Sequence, residues 1–279
     1  MIHNLLCHKT LYTIRGRKYF TAGRTYRAEE LEGGDFFLIN DLGGGHYLDA
    51  RGTGEDAIEN WFRVDNLCGK VIILNSPPAA GKNALADALT ERTGASHKAM
   101  KDKLYILTDA LFGLSEGTTE RLNDDREQKE RRHPFYVIST ERFNDLQLYM
   151  KTGYGYLTPS IPDDGCMITV REALIYVSEL VVKPSFGSAY FGKELACNVD
   201  LESGTVVSDG GFSSEIQEVV NKVGKENVYV VQFTREGASS FEGDSRGWVN
   251  LEGVKTLRTT NNGTITELCD EVLEWIKEN

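Results

Sequence analysis

Two different rhythms of apolar residues divide this chain. From about Lys9 to Val64 the apolar positions fall in short runs rich in Tyr, Phe and Thr: TLYTI, KYFTA, RTYRAEEL, FFLIND and GHYLD. Several of them alternate with polar residues. Successive side chains of a strand point to opposite faces, so such alternation predicts strands with one buried face. Gly33-Gly34 and Gly43-Gly44-Gly45 separate the runs, and Asn40-Asp41-Leu42-Gly43 has the composition of a hairpin turn. Strands this short and closely spaced predict a small antiparallel barrel or sandwich over residues 1–65, with Trp61-Phe62 closing its core. The start, MIHNLLCHKT, reads as a frayed, polar end.

After a short connection, Asp65 to Lys70, the rhythm changes. Apolar runs at Val71–Leu74, Thr205–Ser208, Val228–Phe233 and Val254–Leu257 predict strands. Helical spacing appears over Asn83–Thr93, Lys101–Phe112, Val170–Val182, Ser213–Val223 and Thr266–Lys277. Strands interleaved with helices predict a parallel sheet covered on both faces, hence an α/β domain over residues 70–279 behind an all-β domain. The Gly, Pro and Tyr-rich stretch from Ser139 to Met167 reads as loops, an insertion in this pattern.

Composition narrows the class. The chain has 279 residues, 40% of them apolar, and a net charge of −11 from 31 basic and 42 acidic residues. That balance disfavours a protein that coats nucleic acid through its phosphates. No apolar run approaches the ~18 residues of a membrane span, so no membrane partner is expected. The start lacks the pattern of a secretory signal. Five cysteines without a C-x-x-C pair imply reduced thiols and a cytoplasmic home. The histidines show no metal spacing, and Cys7-His8 with His3 belongs to the frayed end.

The segment VIILNSPPAAGKNALADAL, Val71 to Leu89, carries the strongest chemical signal. An apolar run ends at a small-residue loop, and Gly81-Lys82 opens a helical pattern. This is the order of a phosphate-binding P-loop, whose backbone N–H groups wrap the phosphates while the Lys reaches the β/γ-phosphates. Ser76, Ala79, Ala80, Gly81, Lys82, Asn83 and Ala84 are therefore the candidate ATP-binding residues. Ser76 replaces the first Gly of the pattern, and Asn83 stands where a hydroxyl normally ligates Mg²⁺.

Further segments fit the same machine. TVVSDGGFSSE delivers Asp209 at the carboxyl end of a strand, where open α/β sheets bind ligands, so Asp209 is a catalytic and metal candidate alongside Asn83. Arg171 opens a helix, a poor place for a cation, which points to a phosphate clamp. Arg235 and Arg246 bracket a Gly-containing loop suited to a lid over transferring phosphates. Asn261-Asn262-Gly263 forms a turn, with Thr264 capping the helix after it.

In this order the segments resemble the phage-type deoxynucleoside monophosphate kinase family: SPPAAGKN, KAMKDKLYILTDALFG, NDDREQKE, REALIYVSE…KPSFGSAYFG, SDGGF…E, TRE…R and NNGTITEL, covering Lys70 to Asn279. The N-terminal part resembles a small Src-homology-type β-barrel. The resemblance implies a P-loop kinase fold and Mg²⁺-dependent phosphoryl transfer from ATP to a nucleoside monophosphate, with a homodimer allowed. By carry-over, Lys82 stabilises the transferring phosphoryl and Asp209 organises Mg²⁺. Arg126 and Arg171 hold the acceptor phosphate, Lys101 and Asp102 line the acceptor pocket, and Arg235 and Arg246 close on the donor. Asn261 and Asn262 lie against the adenine. The family usually carries Asp at the position of Asn83 and often a hydroxyl at that of Ala84.

Two other readings stay open. A related kinase could phosphorylate a hydroxyl on 5-hydroxymethyluracil in phage DNA, with the barrel gripping the duplex. Residues 1–65 hold eight basic and ten acidic residues, which argues against such a grip, although Lys9, Arg15, Arg17, Lys18, Arg24 and Arg27 cluster. Alternatively, a degenerate P-loop serves as a non-catalytic nucleotide-binding module.

Overall fold

In the computed structural model, the described residues are 2–7, 9–13, 15–22, 24–33, 35–49, 61–63, 67–154, 166–238, 240–241 and 246–279. The end of TLYTI at Ile14, Gly34, the start of the connection at Asp65 and the centre of the 139–167 stretch lie outside them, as does the crown of the expected lid.

The N-terminal unit is antiparallel throughout. Its strands are β1 (Ile2–Cys7), β2 (Leu11–Tyr12), β3 (Lys18–Phe20), β4 (Thr25–Glu30), β5 (Phe36–Ile39), β6 (Gly45–Leu48) and β7 (Phe62–Arg63). Five of them form one sheet in the order β6-β5-β4-β1-β7, and β2 pairs with β3. Among the described residues β6 and β7 remain edges, so the pairings show an open sheet with a hairpin rather than a closed barrel. The expectation of a frayed start is overturned: β1 is an inner strand, paired on both sides, and Leu5 and Cys7 are buried. The strand IHNLLC shows no clean apolar alternation, because His3-Asn4 are polar and Leu6, between the buried Leu5 and Cys7, is apolar. Phe62 is buried against Phe20 and Tyr26, as expected of the closing aromatic pair. The turn at Asn40 forms because its Oδ1 accepts from the N–H of Leu42 and Gly44.

The second unit is α/β. In chain order its elements are β8 (Val71–Asn75), α1 (Lys82–Thr93), β9 (Ser96–Lys98), α2 (Met100–Leu111), α3 (Thr118–Asp124), α4 (Arg126–Lys129), β10 (Arg132–Ile138), α5 (Thr140–Tyr154), β11 (Cys166–Thr169), α6 (Val170–Ile175), α7 (Lys183–Phe186), α8 (Tyr190–Asn198), β12 (Thr205–Val207), α9 (Ser213–Val223), β13 (Val228–Thr234), β14 (Lys255–Thr260) and α10 (Ile265–Glu278). Five strands make a parallel sheet in the order β14-β13-β8-β12-β9. The central strand β8 shows the period-two rule on both faces. Ile72 and Leu74 pack with α1 and α10, and Val71 and Ile73 pack with residues of α2, α8 and α9. Leu67, expected in the connection, is fully buried in the first of these cores.

Two further expectations change. The stretch expected as loops holds α5 and β11; Phe143, Leu146 and Met150 form a buried helical stripe under the antiparallel pair β10–β11. Glycine, proline and tyrosine had masked that spacing. The helix expected over Val170–Val182 is α6 followed by a π-helical segment, Tyr176–Val182, and the chain continues through Lys183-Pro184 into α7. Pro184 stands at the second residue of α7, directly after the π segment. A π segment carries an extra residue per turn and commonly marks a functional site; here it carries Ser178 and Glu179 in a cavity wall.

Candidate functional site

The geometry of the loop between β8 and α1 follows from β8. The strand ends at Asn75 in the centre of the sheet, and the next strands in the chain lie on opposite sides of it, with β9 and β12 to one side and β13 to the other. Ligands of open α/β sheets bind at such a reversal. Two residues of the loop take left-handed backbone conformations: Gly81, at φ 102°, and Ala79, at φ 62°. Ala79 is the only non-glycine residue with positive φ among the described residues. A left-handed alanine is strained by about 1 kcal/mol or more, and such strain concentrates where a loop must present its amides. The loop delivers the chain into α1, which begins at Lys82 with no side-chain cap and no acid in its first turn. The helix end therefore offers N–H groups and a positive dipole to an anion.

Lys82 lies over this loop. Its ammonium donates to the carbonyl oxygens of Ser76 and of Pro77, the latter at 2.9 Å, and to Ser76 Oγ at 3.3 Å. Ser76 and Ala80 are buried, whereas Asn83 and Ala84 are exposed at the helix start. Asn261 is buried and donates from Nδ2 to Ala80 O at 2.8 Å, and a Cβ on Gly81 would stand 2.6 Å from that nitrogen. Asn261 thus braces the loop from behind rather than facing a base. Asn262 is exposed, and its Oδ1 accepts from Glu236 N.

A cavity of about 420 Å³ opens beside Lys82 and Asn83. Six cationic side chains line it, Lys82, Lys101, Lys129, Arg171, Lys183 and Arg246, against three acids, Glu179, Asp209 and Glu215. In a chain of net charge −11 this is a local inversion of sign. Four of the cations come from four separate segments: Lys101 from α2, Lys129 from α4, Arg171 from α6 and Arg246 from the connection between β13 and β14. Burial pushes the Lys129 ammonium below the usual lysine range, and Arg171, Lys101 and Arg246 push it the same way against Glu130. Arg171 donates from Nε and Nη2 to Glu130 Oε1 at 3.0 and 2.7 Å. Like charges held together are unfavourable by themselves, so the cluster fits an anionic ligand. Because the Lys129 cation is lost at lower pH than an ordinary lysine, binding of an anionic ligand such as inorganic phosphate in the cavity should weaken early on the alkaline side. Lys129→Arg should move that limb to higher pH, since a guanidinium stays charged, and calorimetric binding in a pH series reads the shift.

Asp209 follows β12 and lines the cavity. Its Oδ1 accepts from Met100 N at 2.8 Å and its Oδ2 from Lys101 N at 3.1 Å, which caps α2. Burial nonetheless raises its carboxyl above the usual range, with those two N–H groups opposing the shift.

Arg246 is fixed by an unusual anchor. Its stem lies against Gly211, where a Cβ would meet it at 2.8 Å, and Gly247 N donates to Gly211 O. Beneath it, Asn75 uses its whole amide. Nδ2 donates to Gly210 O at 2.8 Å and Gly247 O at 2.9 Å; Oδ1 accepts from Gln232 Nε2 at 3.0 Å and Val249 N at 2.9 Å. One residue before the P-loop thus ties down both the Asp209 turn and the Arg246 segment.

Lys82, Asn83, Lys101, Arg171, Asp209 and Arg246 therefore meet at one cavity. Of the candidates outside the loop, Arg235, Asp102, Asn261 and Asn262 do not line it. Arg235 is exposed beyond the end of β13, which is held to β14 by Asn261 N donating to Thr234 O. Asp102 turns back to cap its own helix, accepting from Ala99 N at 2.7 Å. Asn262 holds the start of the expected lid. The Arg126 side chain lies outside the described residues. Its neighbour Lys129 is in the cavity wall, as are Tyr105, Asn123 and Lys183, to which the sequence assigned no part, and Glu215, the acid of SDGGF…E, to which it assigned no role. Lys129 and Glu215 stand inside the NDDREQKE and SDGGFSSE segments, but spacing alone distinguishes neither from a solvated neighbour.

No helix among the described residues is long and apolar enough to cross a membrane. No family model matches the chain, and no curated protein matches it. Among solved structures the chain is similar to an uncharacterized protein from Eubacterium ventriosum ATCC 27560. The identity is 9% over 76% of this chain and 99% of that one, with a TM-score of 0.31, a likeness that bears on neither fold nor activity.

Proposed function

We propose that this chain is a P-loop kinase that transfers the γ-phosphoryl group of ATP to a nucleoside monophosphate. The observation that carries the reading is the pairing of two anion sites across one cavity. An uncapped helix start behind a strained loop faces four cations drawn from four segments. A donor phosphate chain suits the first, and an acceptor phosphate the second. Phosphoryl transfer needs positioning and charge neutralisation more than covalent chemistry, and those are what the residues offer. An acceptor phosphate is already anionic and needs no general base.

In this reading Lys82 exchanges the carbonyls of Ser76 and Pro77 for phosphate oxygens. Lys101, Lys129 and Arg171 hold the acceptor phosphate, and Arg246 lies between acceptor and donor. Among the described residues no group of three or more His, Cys, Asp or Glu is placed to hold a metal by itself. One amide, Asn83, and one carboxylate, Asp209, nevertheless fit Mg²⁺, which takes few protein ligands beside phosphate oxygens and water. When bound, Mg²⁺ would neutralise phosphate charge.

The test is incubation with γ-labelled ATP and either a panel of deoxynucleoside monophosphates or duplex DNA containing 5-hydroxymethyluracil. Label in nucleoside diphosphates is the expected result. Label in DNA alone would instead assign a hydroxyl acceptor, and label in neither would leave a binding module.

A further inference from the structure

The cavity has a second end that phosphate binding does not explain. Glu215, in the first turn of α9, is 4% exposed and lines the cavity. Among the described residues its carboxyl has no hydrogen-bond or ion-pair partner. The nearby cation is already committed: Lys183 Nζ donates to Glu179 Oε1 at 2.5 Å and lies 4.8 Å from the centre of the Phe212 ring. Glu179 Oε1 also accepts from Ser178 Oγ at 2.9 Å. The carboxyl meets no donor among the described residues and lines the cavity, so a ligand N–H placed there would supply one.

The placement of Glu215 is rigid. A Cβ on Gly192 of α8 would stand 2.2 Å from Glu215 O, so α8 and α9 meet backbone to backbone at this residue. The two ends of the cavity are also electrically distinct. Lys129 feels Arg171, Glu130, Lys101 and Arg246, whereas Glu215 feels Lys183, Asp209 and Glu179. Around the Glu215 end the wall includes Phe212 and Phe191, flat and apolar.

We infer that Glu215 reads the base of the acceptor nucleotide and selects a base edge that presents a ring N–H: guanine through N1–H and N2–H₂, or thymine and uracil through N3–H. This inference rests on the reading that the cavity takes a nucleoside monophosphate. Adenine and cytosine place an acceptor nitrogen at that edge, which repels a carboxylate oxygen. Burial, opposed by Lys183 and reinforced by Asp209 and Glu179, raises the Glu215 carboxyl to about 7. A base N–H donating to the ionised form would stabilise that form.

The experiment compares the wild type with Glu215→Gln on dGMP, dTMP, dAMP and dCMP at saturating ATP, with calorimetric binding of the same four nucleotides. The wild type should prefer dGMP or dTMP, and the two arms tell the edges apart. Glu215→Gln should raise KM for the preferred nucleotide about 10- to 100-fold, as loss of a hydrogen bond to a charged group does, with the loss carried by KM rather than kcat. An amide pairs with an adenine edge, so KM for dAMP should fall. Equal changes for all four acceptors, or none, would overturn the inference. If the wild type transfers no phosphate, the kinase reading fails, and the binding preference still decides the role of Glu215; no binding of any of the four overturns it. Gln removes a buried charge, so at pH 8 the variant should melt no lower than the wild type. Should it fail to fold, Glu215→Asp, which retracts the carboxyl by one methylene, should raise KM for the same nucleotide, and an unchanged preference would count against the inference.

Discussion

Lys82→Ala should lower kcat for ATP-dependent transfer by about 10²- to 10³-fold, the usual effect of removing one preorganised charge from a transition state. The ammonium stands at the mouth of α1, over the strained loop and on the cavity rim. In a loose phosphoryl-transfer transition state the charge spreads over the phosphoryl oxygens, and a cation there stabilises it more than the ground state. The residue makes part-buried hydrogen bonds to the loop carbonyls, so a modest loss of stability should accompany the change, about 1 kcal/mol. Lys82→Arg should not restore the rate, because a planar guanidinium does not fit the carbonyls that receive a compact ammonium. Steady-state kinetics and a thermal melt check both. Turnover that survives in Lys82→Ala would sink the assignment.

Asn75→Ala should destabilise the α/β unit by about 3–5 kcal/mol and raise KM for the acceptor together. An Asn side chain has two N–H groups and two acceptor lone pairs in good directions, and here all four are used. Alanine leaves the carbonyls of Gly210 and Gly247 and the N–H of Val249 without these bonds in a buried place, at about 1–3 kcal/mol for each group left unsatisfied. Gln232 keeps Val249 O and the Arg258 guanidinium, so part of the network survives. The segment that carries Arg246 loses its anchor, and the cation with it. Urea denaturation reads the first effect and acceptor KM the second. A variant that loses stability but keeps the wild-type KM would show that Arg246 is positioned by something else.

Much of the fold was legible from period and turn chemistry. The strand β8 and the helices α1, α2, α9 and α10 stand within a residue or so of where their apolar spacing put them. Thr264 caps α10 as read, and Glu267 completes a capping box with it. Errors fell where local signals conflict with burial. The polar residues of β1 concealed an inner strand, and the glycines and tyrosines after Ser139 concealed α5. The π segment was illegible because one extra residue per turn leaves no mark in composition, and it is this segment that carries Ser178 and Glu179 in the cavity wall.

The candidate site divides along the same line. Ser76 to Lys82 could be read directly, because a loop between a strand and a helix is a local object whose Gly, Lys and small residues act within a few positions of one another. So could Asp209, at the end of its strand. The rest of the cavity wall could not. Arg235 and Asp102 carry the right charge, yet one ends in solvent and the other on its own helix, while Lys129 and Glu215, unremarkable in the string, line the cavity. Asn75 shows why: its amide bonds reach across 135 to 174 residues of chain. Which charges share a cavity is set by how the helices pack on the sheet, and that packing sums many weak contacts between distant residues. Local spacing carries the loop between β8 and α1; only long-range packing selects the residues that share its cavity.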